Sequence, residues 1–167
     1  MAALISEEMR QAVGAEFDRL VSPPIAASDV RRWAIACYYP NRPPAKFLDG
    51  PHQRVPEEFN PFAWSPDPPP YRDPTQKSSD FVEIMLGLAP PVTTGSVHGG
   101  IRSTYLAPMQ IGQTVTCVRT LGGYVEKRSG DRTLLFTTVG ECWVDDDARE
   151  IKRVELTLIR YATAGAA

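Results

Sequence analysis

The final third of the chain consists of segments that favour a β-sheet over any other fold. Apolar and β-branched residues dominate four stretches, which are predicted as strands at residues 97–106, 114–127, 132–144 and 150–161. Ser129-Gly130-Asp131 is a hairpin turn signal, and the acidic run from Asp145 to Asp147 ends the third stretch. Because the connections have hairpin length, neighbouring strands must run in opposite directions. The sequence therefore predicts an antiparallel sheet.

The predicted strand at residues 132–144 is apolar on both sides. Side chains alternate between the two faces of a sheet, and a sheet with one solvated face shows a cleaner alternation of apolar and polar residues. We therefore expect a helix of this chain to cover one face, and another part of the chain or a second subunit to cover the other. The two sets are Leu134, Phe136, Cys142 and Val144 on one face and Leu135, Val139 and Trp143 on the other.

The first 37 residues contain two predicted helices. Ser6 is placed to cap a short helix that begins at Glu7. Ser28 is a predicted N-cap for a second helix at residues 29–37, where apolar residues recur at helical spacing.

Residues 38–95 form a proline-rich region in which long helices are excluded. An apolar cluster at residues 81–88 interrupts it, with Ser79 or Asp80 as a possible cap. The stretch from Asp67 to Pro74 is interpreted as a mobile or extended loop.

Length and composition fit one globular domain spanning residues 1–167. The chain has 43% hydrophobic residues and a net charge of -2, without a basic run that would favour nucleic acid. No stretch approaches the roughly 20 apolar residues of a membrane span, and the N-terminus does not resemble a secretory signal, so we expect a cytoplasmic protein. The three scattered cysteines and two histidines have no zinc-ligand spacing, and no metal is expected.

Four pieces of the sequence, in this order, resemble the N-terminal MaoC-like, or fatty-synthase-type, dehydratase domain. The resemblance covers roughly residues 13–161 and implies an α+β hot-dog fold, in which a curved antiparallel sheet wraps around a central helix. In that family two hot-dog units pair and bind an acyl-thioester, which is hydrated or dehydrated reversibly. The pieces are VRRWAIACYYPNRPPAKFLD, VPEEFNPF, VHGGIRSTYLAPMQIGQTV and DRTLLFTTVGECWVDD.

The catalytic members of that family carry an Asp-x-Asn-Pro-x-His motif after the early helix, and this chain departs from it. Asn41 matches the Asn, Tyr39 stands in place of the Asp, and Lys46 and Phe47 occupy the neighbourhood of the missing His. Hydration requires an acid–base pair whose pKa values lie near the working pH. Asn does not titrate, and Tyr and Lys ordinarily titrate too high. The segment thus lacks the family's proton-transfer pair.

The remaining candidates each have a structural alternative. His98 and Glu58 are candidate catalytic residues, although His98 could instead fix a strand start and Glu58 a helix start. His52 is interpreted as a surface residue. The predicted acyl-thioester contacts are Asn41, Arg42, Lys46, Phe59, His98 and Gly99, against the alternatives of a solvated turn, a core aromatic residue and a β-bulge.

Three functions follow from these residues and the resemblance. The first is a subunit of an (R)-specific-type enoyl-CoA hydratase or 3-hydroxyacyl-thioester dehydratase, which shapes the acyl pocket while a MaoC-like partner supplies the Asp and His. The second is a non-catalytic acyl-thioester-binding subunit, and the third is a self-sufficient homodimeric dehydratase or thioesterase. Each implies a coenzyme A or acyl-carrier-protein thioester as substrate without a separate cofactor, and a second hot-dog subunit in a dimer or tetramer, with neither nucleic acid nor membrane as partner.

Overall fold

The structure is a computed structural model that describes residues 3–50, 52–64, 75 and 77–163. The predicted loop at residues 67–74 lies outside these ranges. The helices are α1 (Glu7–Gln11), α2 (Ala27–Tyr38) and α3 (Phe81–Leu86), and short 3-10 turns occupy Ala45–Phe47, Pro61–Trp64 and Ser78–Asp80. The strands are β1 (Glu16–Val21), β2 (Gly95–Tyr105), β3 (Thr116–Ser129), β4 (Arg132–Val144) and β5 (Glu150–Thr163).

All five strands form one antiparallel sheet in the order β1-β3-β4-β5-β2. The four strands predicted from the sequence correspond to β2, β3, β4 and β5, and the hairpin turn at Ser129–Asp131 is confirmed. The short strand β1 adds an edge beside β3. Among the strands that the structure describes, the sheet therefore has two unpaired edges, β1 and β2.

The two apolar sides of β4 are confirmed, but the described residues cover only one of them. Leu135 and Val139 are buried on the inner side, where the helices lie. The outer side carries a row of apolar residues at paired positions across four strands, and the two ends of this row are about half exposed, at 51% for Val125 and 53% for Val97. The row consists of Val125, Phe136, Ile159 and Val97.

Two hydrophobic clusters fill the inner side, each around a different helix. One surrounds Val30 of α2 and includes Phe59, Val115 and Trp143. The other surrounds Val82 of α3 and consists of Phe17, Val82, Leu121 and Val139. The sheet thus packs against the twelve-residue helix α2 and the shorter helix α3. The α3 helix has only six residues and ends at Gly87, which has the positive φ of 69° that favours glycine.

The predicted helix caps have different outcomes. Ser6 caps α1 as predicted, because its hydroxyl accepts a hydrogen bond from the Met9 amide at 3.2 Å. Ser28 is not a cap: α2 begins at Ala27, with Ala26 in the extended conformation of an N-cap. The Ser28 hydroxyl lies 3.4 Å from the Asp29 carboxylate instead.

A fully buried guanidinium joins α3 to the sheet. Arg160 of β5 donates two hydrogen bonds to Glu83, at 2.7 and 2.8 Å, one to Asp80 at 3.0 Å and one to the Thr137 hydroxyl at 2.8 Å. The Tyr124 hydroxyl also donates to Glu83, at 2.7 Å, and burial together with this bond raises the pKa of Tyr124. Asp80 is the N-cap residue of α3, as predicted, but its carboxylate accepts a hydrogen bond from Arg160 and none from a helix amide.

Replacing Arg160 should destabilise the fold strongly. Arg160→Met leaves the carboxylates of Glu83 and Asp80 buried without their cation, and removing one member of a buried ion pair typically costs about 3–5 kcal/mol. Urea unfolding measures this loss. The matched control is Arg153→Met on the same strand, because the exposed Arg153–Glu150 pair should contribute little. If both variants unfold at the same urea concentration, Arg160 does not hold α3 in place. If Arg160→Met does not fold, the same unfolding measurement is made on Glu83→Gln, which is a smaller change.

Candidate functional site

A cleft of about 1030 Å³ lies where the proline-rich segment crosses the turn before β3. Lys46, His52, Arg54, Glu57 and Glu58 supply its titratable side chains. Tyr38, Phe47, Val55, Pro108, Met109 and Ile111 contribute its apolar walls.

Local hydrogen bonds fix the path of the segment that forms one wall. The Arg54 amide donates to the Lys46 carbonyl at 2.7 Å, which closes the loop between them. The Gln53 side-chain amide donates to the carbonyls of Ala27 and Phe47, at 3.0 and 3.1 Å, and so ties the loop to the start of α2. Phe47 itself is buried, which anchors the loop from below.

Two cations in this cleft are available for a ligand. Neither the Lys46 ammonium nor the Arg54 guanidinium lies within 4.0 Å of a carboxylate in the described parts of the chain. The Lys46 ammonium rests 4.7 Å from the centre of the Phe47 ring. Unpaired Lys and Arg side chains beside an apolar wall suit a ligand that combines phosphate groups with an apolar arm.

The structure brings together only some of the residues predicted to bind substrate. Lys46 and Glu58 line the cleft, whereas Asn41 and Arg42 are exposed in the preceding turn and do not line it. Phe59 is a correction: it is completely buried against Trp33, with ring centres 6.2 Å apart, and belongs to the core. The structural alternative for Phe59 is therefore the one observed.

The other two predicted contacts lie on β2, away from the residues that line the cleft. His98 is exposed and pairs with Leu158 of β5. Gly99 lies in a β-bulge, because the register shifts between His98 and Gly100. A Cβ atom at Gly99 would lie 2.8 Å from Ile159 Cγ1 and 2.9 Å from Thr157 Cγ2, so glycine is required for packing there.

The described residues contain no histidine–carboxylate pair. Neither His52 nor His98 lies within 4.0 Å of a carboxylate among them. Tyr39, which replaces the Asp of the family motif, is 82% exposed. Within the same ranges, no group of three or more His, Cys, Asp or Glu residues could hold a metal ion. The part of the chain that is described therefore offers a binding cleft without the family's acid–base pair.

Sequence reasoning missed Arg54 and the cleft position of His52. His52 is exposed, as predicted, but it also lines the cleft. Arg54 and His52 reach the cleft only because the loop that carries them lies across the turn at residues 108–111. No local spacing encodes that approach, although the resemblance of both segments to one family points to a shared site.

Comparison with known proteins defines the class. Among solved structures, the chain is similar to the ChsH1-ChsH2 complex from Mycobacterium tuberculosis, with 16% identity and a TM-score of 0.67, covering 95% of this chain and 90% of that chain. It is also similar to a MaoC-like dehydratase from Rhodospirillum rubrum, with 14% identity and a TM-score of 0.53, covering 96% of this chain and 98% of that chain. A third similar structure is the truncated HadBC 3R-hydroxyacyl-ACP dehydratase complex from Mycobacterium tuberculosis, with 12% identity and a TM-score of 0.52, covering 88% of this chain and 99% of that chain. At such identities the likeness shows the fold, and the hot-dog prediction is confirmed.

A model of the family described as "FAS1-like, dehydratase domain region" matches residues 11–154. The chain belongs to this family of MaoC-like dehydratases, as the sequence resemblance implied. No curated protein gave a significant sequence match. None of the helices in the described ranges is long and apolar enough to cross a membrane.

The cysteines should differ sharply in reactivity. Cys117 is completely buried, and burial, with a smaller contribution from Glu141, raises its pKa to about 12. Because the thiolate is the reacting form, we expect iodoacetamide at pH 8 to alkylate the exposed Cys37 in the native protein and to leave Cys117 intact until urea is added. Peptide mass spectrometry measures both sites. Equal alkylation in the native protein would show that the core around Cys117 is open.

Proposed function

We propose that this chain is one subunit of an acyl-thioester dehydratase or hydratase and pairs with a second hot-dog subunit that supplies the Asp and His. In this arrangement the present chain contributes the cationic cleft and one wall of the acyl pocket. The thioester is carried by coenzyme A or an acyl carrier protein. The observation that carries the proposal is the apolar, unpaired edge of the sheet at β2.

Strand β2 has the properties of a docking edge. It is eleven residues long, and no other described strand pairs with its outer side. Four large apolar residues on or next to it are substantially exposed, from 38% to 65%. Native proteins normally protect such an edge with charges, proline or a covering element, because it invites pairing with another strand. The exposed residues are Val97, Ile101, Tyr105 and Leu106.

The site chemistry supports the same division of roles. The described part of the chain has cations for the phosphates of a thioester carrier but lacks a histidine–carboxylate pair for the proton transfers. Two of the similar structures are described as complexes, ChsH1-ChsH2 and HadBC. These observations support a chain that acts with a partner.

The central experiment compares the chain alone with the chain co-produced with a MaoC-like protein that carries Asp-x-Asn-Pro-x-His. We expect hydration of crotonyl-CoA only from the pair. Binding without turnover in both samples would favour the non-catalytic alternative, and full activity of the chain alone would favour the self-sufficient homodimer.

The edge variant for the same experiment is Ile101→Glu. A carboxylate placed in a desolvated interface costs about 2–3 kcal/mol, so the affinity for the partner should fall roughly 30- to 150-fold. Ile35→Glu is the matched control, because Ile35 is also about half exposed but lies on α2. Equal affinities of the two variants would exclude β2 as the docking edge.

Charge reversal in the cleft should weaken ligand binding. The double variant Lys46→Glu/Arg54→Glu replaces two unpaired cations, and we expect the Kd for coenzyme A to rise at least about tenfold at low salt, with a weaker dependence on salt concentration. Calorimetric titration of the paired complex measures this. Lys127→Glu, on the exposed end of β3, is the control; a similar loss there would indicate a general charge effect rather than a site.

A further inference from the structure

A lysine on the inner side of the sheet is enclosed by two aromatic rings. Lys152 of β5 pairs with Trp143 of β4 on one side and Tyr105 of β2 on the other. Its ammonium nitrogen lies 4.7 Å from the centre of a Trp143 ring and 5.1 Å from that of Tyr105. Phe62 packs edge-on against Trp143 at 5.0 Å and fixes that wall.

This ammonium is held without a direct polar partner. Lys152 is only 9% exposed, yet within the described ranges its nitrogen makes no hydrogen bond and no carboxylate lies within 4.0 Å of it. In the same ranges the sole fully buried side-chain nitrogen or oxygen without a partner is Arg160 Nε, so the Lys152 nitrogen still reaches solvent. The stem is therefore enclosed while the reacting atom remains accessible.

Burial is what favours the neutral form of this amine, because the neighbouring charges and the two rings favour the ammonium. Burial lowers the pKa of Lys152, and Glu141, Glu58 and Cys117 oppose this effect. Glu141 is already engaged, since it accepts hydrogen bonds from Arg119 at 2.9 Å and from the Trp143 indole at 3.1 Å. A desolvated lysine that lacks a hydrogen-bonded carboxylate has more neutral amine near physiological pH, which is the nucleophilic form.

We propose that Lys152 is a reactive amine that accepts an acyl group from a thioester, a modification site separate from the hydration chemistry. The neutral amine attacks the carbonyl carbon of the thioester, a C–N bond forms and the C–S bond breaks. The amine loses one proton and the departing thiolate gains one, so the products are an amide at Lys152 and a free thiol. The inference rests on the proposed function only for the presence of acyl-thioesters near this face.

Acylation at this position has a structural consequence. It removes the charge between the two rings and adds bulk beside Tyr105, which lies on the edge strand proposed to receive the second subunit. Acyl-Lys152 should therefore interfere with docking at β2.

The experiment treats the purified full chain with acetyl-CoA or crotonyl-CoA between pH 7 and 10 and maps the modified lysines by peptide mass spectrometry. Lys127 is the internal reference, because its nitrogen also lies over a ring, 5.1 Å from the centre of Phe136, but its side chain is exposed. We expect Lys152 to acylate at least about threefold faster than Lys127 at pH 7.5, and its rate to level off at a lower pH. A Lys152 rate equal to or below that of Lys127, or one that levels off at the same pH, overturns the proposal.

A second variant tests the cause of the reactivity. Tyr105→Ala opens one wall of the enclosure at a half-exposed position and should bring the Lys152 rate down to that of Lys127. An unchanged excess rate in a folded Tyr105→Ala protein would show that the enclosure does not activate the amine. Because the measurement uses the chain alone, it is separate from the partner-dependent hydration assay: acylation without hydration refutes the proposed function, and hydration without acylation refutes this inference.

Discussion

The buried contact between Arg160 and Glu83 determines how the inner side of the sheet is filled. The guanidinium is fixed at two oxygens of Glu83, and Asp80 and Thr137 complete its hydrogen bonds except at Nε. Desolvation offsets much of the attraction within a buried pair of this kind, so removing one partner costs more than the intact pair contributes to stability. Here it places a six-residue helix against residues of β1, β3 and β4. Several apolar side chains of β2 stay exposed.

This arrangement leaves the chain with a complete core but an incomplete surface. Two clusters bury the inner side around α2 and α3, while β2 and the outer row from Val125 to Val97 face solvent. The cleft at residues 46–58 likewise lacks part of what the reaction needs. It presents unpaired cations and apolar walls, and the described residues provide no histidine–carboxylate pair to move a proton.

The sheet could be predicted from the sequence because its determinants are local. The alternation along β4, the Ser129–Asp131 turn and the long β-branched runs specify the strands and the β3–β4 hairpin without tertiary information. The pairings of β1 with β3 and of β2 with β5 are long-range and are not specified in this way. Arg160 could not be predicted as a buried residue, because a charged side chain near the end of β5 suggests exposure, and its partners lie 77 and 80 residues away along the chain. For the same reason the sequence predicts the N-cap position of Asp80 but not that its carboxylate binds Arg160.

The candidate site was predictable only where the family resemblance pointed to it. Lys46 and Glu58 do line the cleft, since both lie in segments shared with the family. Phe59 was assigned to the substrate because an aromatic residue next to a polar loop suits either a pocket or a core, and only the packing against Trp33 distinguishes them. Lys152 gave no signal at all, because its enclosure requires Trp143 and Tyr105 from two neighbouring strands.

The central claim is that a strand of another subunit completes the sheet at β2, and backbone hydrogen exchange tests it most directly. Amides of residues 95–105 should be followed by mass spectrometry in the chain alone and in the active complex, with residues 132–144 of the central strand as reference. The claim predicts that the outward-facing amides of β2 exchange rapidly in the isolated chain and become protected in the complex, while β4 changes little. An active complex in which β2 exchanges as rapidly as in the isolated chain would contradict it.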